Sequence, residues 1–154
     1  MRNLKSGSLV ITLAILAACS EPADDNGTTL HRGNRLEPLT LDPHVAIIMD
    51  ERTIINDMFV GLYEAGPDGR PVLGLAESVD VSEDGRVWTF HLREANWSDG
   101  TAITAGDVVF GLQRALDPLT RNQYPSPLFA IENAQDIAEG RSAVGALGAR
   151  VVDD

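Results

Sequence analysis

Residues 79–92 read VDVSEDGRVWTFHL and indicate a β-hairpin. The second half of this stretch alternates, with Trp88, Phe90 and Leu92 on one face and Thr89, His91 and Arg93 on the other. That period of two is typical of a half-buried strand. Asp84-Gly85 favours a tight turn, because both residues tolerate positive φ. We therefore predict that Val79–Val81 pairs with the second strand across this turn.

The flanking sequence alternates further short strands with helices. Asp68-Gly69 and Asp99-Gly100 repeat the turn signal on either side of the hairpin. Thr104 and Asp107 form a capping-box pattern, which predicts a helix that ends at Asp117-Pro118 with a buried stripe of Val108, Val109, Leu112 and Leu116. A second helix is predicted over about 51–58. The predicted fold class is α/β, with local α+β character.

The two ends of the sequence suggest an exported and truncated chain. A basic head with Arg2 and Lys5, an apolar run over 9–16 and the stretch Leu16-Ala17-Ala18-Cys19 have the order of a bacterial lipoprotein signal. We predict cleavage before Cys19 and lipid attachment to its sulfur. The alternative is an ordinary signal peptide with an incidental cysteine. At the other end, residues 149–152 resemble the start of a strand, so we expect a truncated chain.

Composition excludes several classes of function. Cleavage before Cys19 would remove Arg2 and Lys5 and leave 10 basic and 23 acidic residues, which is a formal charge of −13. This charge opposes binding to nucleic acid or to an anionic lipid surface. Acylation of the single cysteine would exclude thiol catalysis, disulfides and cysteine-based zinc sites. Residues 20–28 are polar and acidic, which predicts a flexible tether.

No catalytic or metal-binding pattern stands out. His31, His44 and His91 do not have the spacing of metal ligands. Residues 80–85 resemble the opening of a calcium loop, but His91 occupies the twelfth place, where a glutamate is needed. The segment is therefore better explained as a hairpin turn. We expect no metal and no cofactor.

A set of motifs in fixed order resembles the bacterial solute-binding proteins of family 5, which serve peptide importers. The motifs are Leu30-His31-Arg32-Gly33-Asn34, Leu41-Asp42-Pro43-His44, residues 87–93, Trp97-Ser98-Asp99-Gly100-Thr101, Thr104-Ala105 with residues 107–110, and Gln113-Arg114. The oligopeptide-binding branch is the most similar. This resemblance implies part of a two-lobed periplasmic binding protein of type II fold. It divides the chain into a lipoprotein signal peptide (1–18), a tether (19–29), the start of ligand-binding lobe I (30–59) and an incomplete small α/β subdomain (60–154).

The resemblance also implies a function and candidate ligand contacts. Family members hold an extended peptide by main-chain pairing in a cleft between two lobes. By similarity, Ala46, Ile47, Ile48 and Met49 form one rim of the cleft, and Tyr124 offers a flat apolar face and a hydroxyl. On the residues alone, the apolar stretch would be core. The motifs at 42–43 and 97–100 are interpreted as scaffold turns, and we expect Trp97 to be buried against the hairpin.

The resulting prediction is a lipid-anchored, monomeric, non-enzymatic receptor on the periplasmic side of the envelope. It would deliver oligopeptides to a membrane ABC permease and would bind no nucleic acid. One alternative is the same fold with a different cargo, such as a nickel complex, an opine or an oligosaccharide. Another is an envelope hydrolase that uses carboxylates such as Asp99 and Asp107. A third is a purely structural lipoprotein.

Overall fold

The computed structural model of the chain describes residues 32–153. Backbone contacts divide the chain into two units, Met1–Gly33 and Asn34–Asp154, and all elements below lie in the second. The helices and strands are α1 (Met49–Met58), β1 (Tyr63–Ala65), β2 (Pro71–Leu73), β3 (Ala76–Val81), β4 (Trp88–Leu92), α2 (Ala105–Leu116) and α3 (Ala134–Ala138), with 3₁₀ helices at Pro118–Thr120, Ser126–Ala130 and Val144–Ala146. The predicted signal peptide, the lipid site at Cys19, the tether and His31 lie outside the described residues.

The strands form two antiparallel hairpins, β1–β2 and β3–β4. In the second, Val81 pairs with Trp88 and Val79 with Phe90, so the predicted hairpin is confirmed. Its first strand begins at Ala76, earlier than predicted. The ring of Phe90 also meets the ring of Tyr63 edge-on, with centroids 6.3 Å apart. This aromatic contact links the two hairpins.

All three predicted Asp-Gly turns are present, with one shared geometry. Each glycine has positive φ, at 77°, 70° and 90° for Gly69, Gly85 and Gly100. The three aspartates do not have positive φ. Their carboxylates accept the backbone N–H two residues later, in Arg70, Arg86 and Thr101. Each turn therefore combines glycine's conformational freedom with an aspartate hydrogen bond.

Two tryptophans are more exposed than predicted. Trp88, expected on the buried face of its strand, is 55% exposed. It lies at the turn end of a two-stranded sheet, where its indole N–H donates to the carbonyl of Gly85. Trp97, expected to be buried against the hairpin, is 42% exposed. A two-stranded hairpin has too little surface to cover both rings.

Helix α2 begins and ends where the sequence predicts. The Thr104 hydroxyl accepts the Asp107 N–H, and Asp107 Oδ2 accepts the Thr104 N–H at 2.8 Å, which completes the capping box. Its last residue, Leu116, is buried with Ala134, Ile137 and Leu147 in the main apolar cluster. Helices α2 and α3 and the following 3₁₀ turn therefore share one core.

Two chain segments differ from the prediction. Helix α1 begins at Met49 rather than at Glu51. Met49, which is predicted to be part of the rim, is therefore the first residue of the helix. Residues 149–152, predicted to start a strand, have irregular structure. No strand within residues 32–153 pairs with them, and an extended segment needs a hydrogen-bonded neighbour to form a sheet.

Candidate functional site

The predicted rim connects the Asp42-Pro43 turn to helix α1. The side chains of Ile47 and Met49 are 45% and 72% exposed. Ala46 and Ile48 are partly buried, and Ile48 has the extended backbone of an N-cap residue. The rim therefore presents alternate apolar side chains to solvent.

The backbone N–H groups of the first three rim residues already have partners. Ala46 N donates to the carbonyl of Asp42 at 3.0 Å, and Ile47 N and Ile48 N donate to Oε2 of Glu51 at 3.1 and 3.3 Å. The Ile48 carbonyl accepts from Arg52. No backbone N–H within residues 32–153 donates to the carbonyls of Ala46 and Ile47. Main-chain pairing at residues 46–48 would therefore use these two carbonyls as acceptors.

The carboxylate of Glu51 fixes the backbone of the rim by hydrogen bonds. Its side chain is almost completely buried, with 1% exposure. Besides the two rim amides, its Oε1 accepts the N–H groups of Leu39 and Thr40 at 3.0 and 3.2 Å. Burial raises the pKa of this carboxyl, but the four backbone hydrogen bonds outweigh burial and the net pKa is lowered. An ionised Glu51 thus ties two chain segments to the start of α1.

Sequence reasoning missed the role of Glu51. The available signal was a glutamate at the third helical position, which commonly accepts the N-cap amide in a capping box. Here the N-cap residue is Ile48, which has no side-chain acceptor to complete the box. Its partners at 39 and 40 come from an irregular segment twelve and eleven residues earlier, which the local helix-start pattern does not reveal.

Arg114 joins the turn before the rim to helix α2. Its Nη1 and Nη2 donate to the two carboxylate oxygens of Asp42, at 2.8 and 2.5 Å. Nη1 also lies 2.7 Å from Nδ1 of His44. Asp42 in turn accepts the backbone N–H of His44 through Oδ1 and that of Ala46 through its carbonyl. The predicted scaffold turn is therefore held by an ion pair across 72 residues.

The contacts within this cluster shift the pKa values of Asp42, His44 and Arg114. The hydrogen bond from Arg114 lowers the pKa of Asp42 to about 2. Burial, and then the charge of Arg114, lower the pKa of His44, so its imidazole is neutral at pH 7. A neutral ring that accepts at Nδ1 carries its proton on Nε2. The bond to Asp42 raises the pKa of Arg114.

Tyr124 is presented by a loop that follows α2. Its side chain is 62% exposed. Its N–H donates to Oδ1 of Asn122 at 2.9 Å, and Nδ2 of Asn122 donates to the carbonyl of Ala115 at 2.9 Å. Arg121, just before Asn122, has a left-handed backbone with φ of 60°. The loop therefore turns sharply at Arg121 and leaves the Tyr124 side chain exposed to solvent.

A groove of about 570 Å³ lies elsewhere, between α1 and β1. Its lining is mostly apolar and consists of Ile55, Asn56, Phe59, Val60, Gly61, Tyr63, Glu64 and Ala65. None of the five predicted ligand contacts lines it. The groove and the predicted rim are therefore separate features of the surface.

The carboxylates proposed for hydrolysis are occupied in turns and caps. Asp99 accepts the N–H and hydroxyl of Thr101 and Asp107 accepts those of Thr104, and these bonds lower the pKa of both carboxyls. Paired catalytic carboxylates need pKa values pushed apart, with one raised to serve as an acid. This arrangement does not favour the hydrolase alternative.

The resemblance to a calcium loop is likewise explained by the hairpin turn. Oδ1 of Asp84 accepts the Ser82 hydroxyl at 2.6 Å, and Asp80 pairs with His91 at 2.8 Å. In residues 32–153 no group of three or more His, Cys, Asp or Glu side chains is arranged to hold a metal ion. Over the same residues, no helix has the length and apolar character needed to cross a membrane.

Comparison with known proteins gives the family. Residues 70–153, more than half of the chain, match the family described as "Bacterial extracellular solute-binding proteins, family 5 Middle". The chain belongs to this family. The mixed helices and strands are part of the α/β fold of these two-lobed binding proteins, so the predicted fold class is confirmed.

Individual relatives are similar over most of the chain. It is 44% identical over 129 residues to the periplasmic oligopeptide-binding protein OppA of Escherichia coli K12, covering 82% of this chain and 24% of that protein. It is 37% identical to the periplasmic murein peptide-binding protein MppA of the same organism, covering 94% and 28%. The structure of Listeria monocytogenes OppA bound to peptide superposes with a TM-score of 0.75 and 36% identity, covering 79% and 24%. The chain thus spans about a quarter of the length of these relatives.

Proposed function

We propose that the chain contributes one rim of the ligand cleft in the substrate-binding component of a peptide ABC importer. The supporting observation is its similarity to a peptide-bound OppA, at a TM-score of 0.75 and 36% identity. In this proposal the protein has no catalytic activity and delivers extended oligopeptides to a membrane permease. It acts as a monomer on the periplasmic side of the envelope, anchored by lipid at Cys19.

The proposed ligand contacts are Ala46, Ile47, Ile48, Met49 and Tyr124. An extended peptide has alternating N–H and C=O groups along each edge, so its N–H groups can bond to carbonyls of the rim. The carbonyls of Ala46 and Ile47 would accept peptide N–H groups, because the N–H groups of Ala46, Ile47 and Ile48 are engaged by Asp42 and Glu51. Exposed Ile47, Met49 and Tyr124 would contact side chains of the peptide without selecting one sequence.

The proposed organisation follows the same similarity. Residues 1–18 would be the signal peptide, 19–29 the tether, 30–59 the start of lobe I and 60–154 the small α/β subdomain. In this arrangement the rim and Tyr124 lie in different subdomains. Two contacts would connect these segments to helix α2: the Asp42–Arg114 ion pair for the rim, and the Asn122–Ala115 hydrogen bond for Tyr124.

A panel of ligands tests the proposed cargo. The full 154-residue chain is melted with tetraalanine, a maltooligosaccharide, an opine and a nickel–histidine complex. A ligand that binds only the native state, at ten times its Kd, raises the free energy of unfolding by about 1.4 kcal/mol. We expect stabilisation by tetraalanine alone, at millimolar concentration because a single rim contacts the peptide.

The other outcomes are equally informative. Stabilisation by one of the other ligands without tetraalanine would contradict peptide as the cargo. No stabilisation by any ligand would contradict a ligand-contacting role for this chain and would favour a purely structural one. The variant Tyr124→Ala should weaken the tetraalanine effect, whereas Leu119→Ala, at an even more exposed apolar position five residues earlier, should not.

A further inference from the structure

We propose that Arg114 and Asn122 are positioning residues that hold the two ligand-contact segments to one turn of helix α2. The inference rests on the ligand contacts proposed above, at residues 46–49 and at Tyr124. Neither positioning residue needs to touch the ligand. Each acts through a neighbour whose geometry it fixes.

The first tether runs from Arg114 to the rim. The guanidinium bonds to both oxygens of Asp42, and this bidentate geometry fixes orientation as well as distance. The Asp42 carbonyl accepts the N–H of Ala46, the first residue of the rim. The contact of Nη1 with His44 adds a third point to the same turn. Displacement of Arg114 would therefore displace the start of the rim.

The second tether begins at the next residue of the same helix. Ala115 lies in the last turn of α2, where carbonyls lack intrahelical partners. The Leu119 N–H, the next donor if the helix continued, bonds instead to Oδ1 of Asp117. In its place, Nδ2 of Asn122 donates to the Ala115 carbonyl. Oδ1 of the same side chain accepts the Tyr124 N–H. One amide side chain thus connects Tyr124 to the helix end.

The two tethers leave from consecutive residues, so a single helical turn relates both contact segments. Helix α2 is anchored at this end, since Ala115 and Leu116 are 6% and 1% exposed. A buried helix end with two outward tethers is a rigid reference for the two segments. The positions of the two segments are then coupled through Arg114 and Ala115.

Amide spectra of isotope-labelled chain test this coupling without any ligand. Arg114→Met should shift the amide resonances of residues 46–48, and Asn122→Ala should shift that of Tyr124. The matched control is Arg141→Met, which breaks a comparable pair with Asp136 on the surface and should leave both segments unchanged. Arg114→Lys should restore part of the rim shifts, because an ammonium can reach Asp42 but cannot reproduce the bidentate fork.

Asn122→Asp separates the two halves of the second tether. Aspartate still accepts the Tyr124 N–H but cannot donate to the Ala115 carbonyl. We expect the Tyr124 amide to keep its hydrogen-bonded shift while the Ala115 and Leu116 resonances move. In Arg114→Met, the His44 titration midpoint should also rise, because burial remains but the second cause of its lowered pKa, the charge of Arg114, is removed. This rise reports the loss of the contact between Arg114 and His44, and Arg141→Met should not produce it.

Tetraalanine binding gives a second readout. Arg114→Met should weaken the affinity about tenfold, equivalent to ~1.4 kcal/mol, and Arg141→Met should not change it. If the wild-type chain does not bind tetraalanine, the proposed function fails, and the amide spectra still decide the positioning role. Unchanged rim resonances in a folded Arg114→Met variant, or equal shifts in Arg141→Met, would overturn the inference.

Discussion

Replacing Asp42 by Asn tests how strongly the ion pair with Arg114 stabilises the fold. Asparagine keeps an oxygen that accepts the His44 N–H but replaces the other oxygen by an NH2 group, so the change removes the charge and the acceptor of Arg114 Nη2. The pKa of Asp42 falls from its ordinary 3.8 to about 2. A full shift of this size corresponds to about 2.4 kcal/mol at 1.36 kcal/mol per unit. The side chains of Arg114 and Asp42 are 36% and 29% exposed, so solvent screening reduces the expected loss to about 1 to 1.5 kcal/mol.

The loss should depend on pH in a defined direction. Because the folded-state pKa is lowered, the stabilisation is fully present above about pH 4 and disappears as the pH falls through about 2. Wild-type chain and Asp42→Asn should therefore converge in stability at low pH. Urea unfolding at several pH values between 2 and 7, followed by circular dichroism, measures both curves.

The control for this prediction is Asp136→Asn, which removes one of the two exposed carboxylate partners of Arg141 and leaves the other, Glu139, in place. Its cost should stay below about 0.5 kcal/mol, as is usual for surface ion pairs. A difference between wild-type chain and Asp42→Asn that is constant from pH 2 to 7 would refute the reasoning. A cost no larger than that of Asp136→Asn would do the same.

Three further substitutions test the scaffold that carries the site, each by urea unfolding of the full chain. Thr104→Ala removes the hydroxyl that caps α2 and should cost about 1 kcal/mol; an unchanged midpoint would contradict the capping role. Gly74→Ala places a Cβ 2.5 Å from the Gly61 carbonyl and should destabilise by about 1 to 3 kcal/mol, whereas Gly111→Ala, in open space within α2, should stabilise by about 0.5 to 1 kcal/mol. Equal effects of the two glycine changes would show that crowding at Gly74 is relieved. Leu116→Ala should cost about 2 to 5 kcal/mol against less than about 0.5 for the exposed Leu119→Ala, and similar losses would contradict the assigned core.

The elements that the sequence predicts correctly are those set by neighbouring residues. The turn at Asp84-Gly85 needs only a glycine at positive φ and an aspartate acceptor, and both lie within the turn. The capping box at Thr104 and Asp107 spans three residues. Local chemistry is sufficient in such cases, so the hairpin and α2 were predictable.

The contacts that shape the candidate site depend on distant residues and could not be read from local patterns. Asp42 and Arg114 were recognised as parts of motifs, but their pairing spans 72 residues. Glu51 accepts hydrogen bonds from two backbone N–H groups in an irregular segment eleven and twelve residues earlier, whereas a local pattern shows only its N-cap partner. The strand predicted at 149–152 was wrong for the same reason, because a strand requires a partner that local sequence does not specify.

A peptide titration of the labelled chain is the most direct measurement of the proposed ligand contacts. Tetraalanine is added to millimolar concentration while the amide and side-chain resonances of residues 32–153 are followed. We predict shifts concentrated at residues 46–49 and at Tyr124, with the groove between α1 and β1 unaffected. Shifts concentrated instead at Phe59, Val60 and Tyr63, or no shifts at saturating peptide, would contradict the assignment of the rim as the ligand-contact surface.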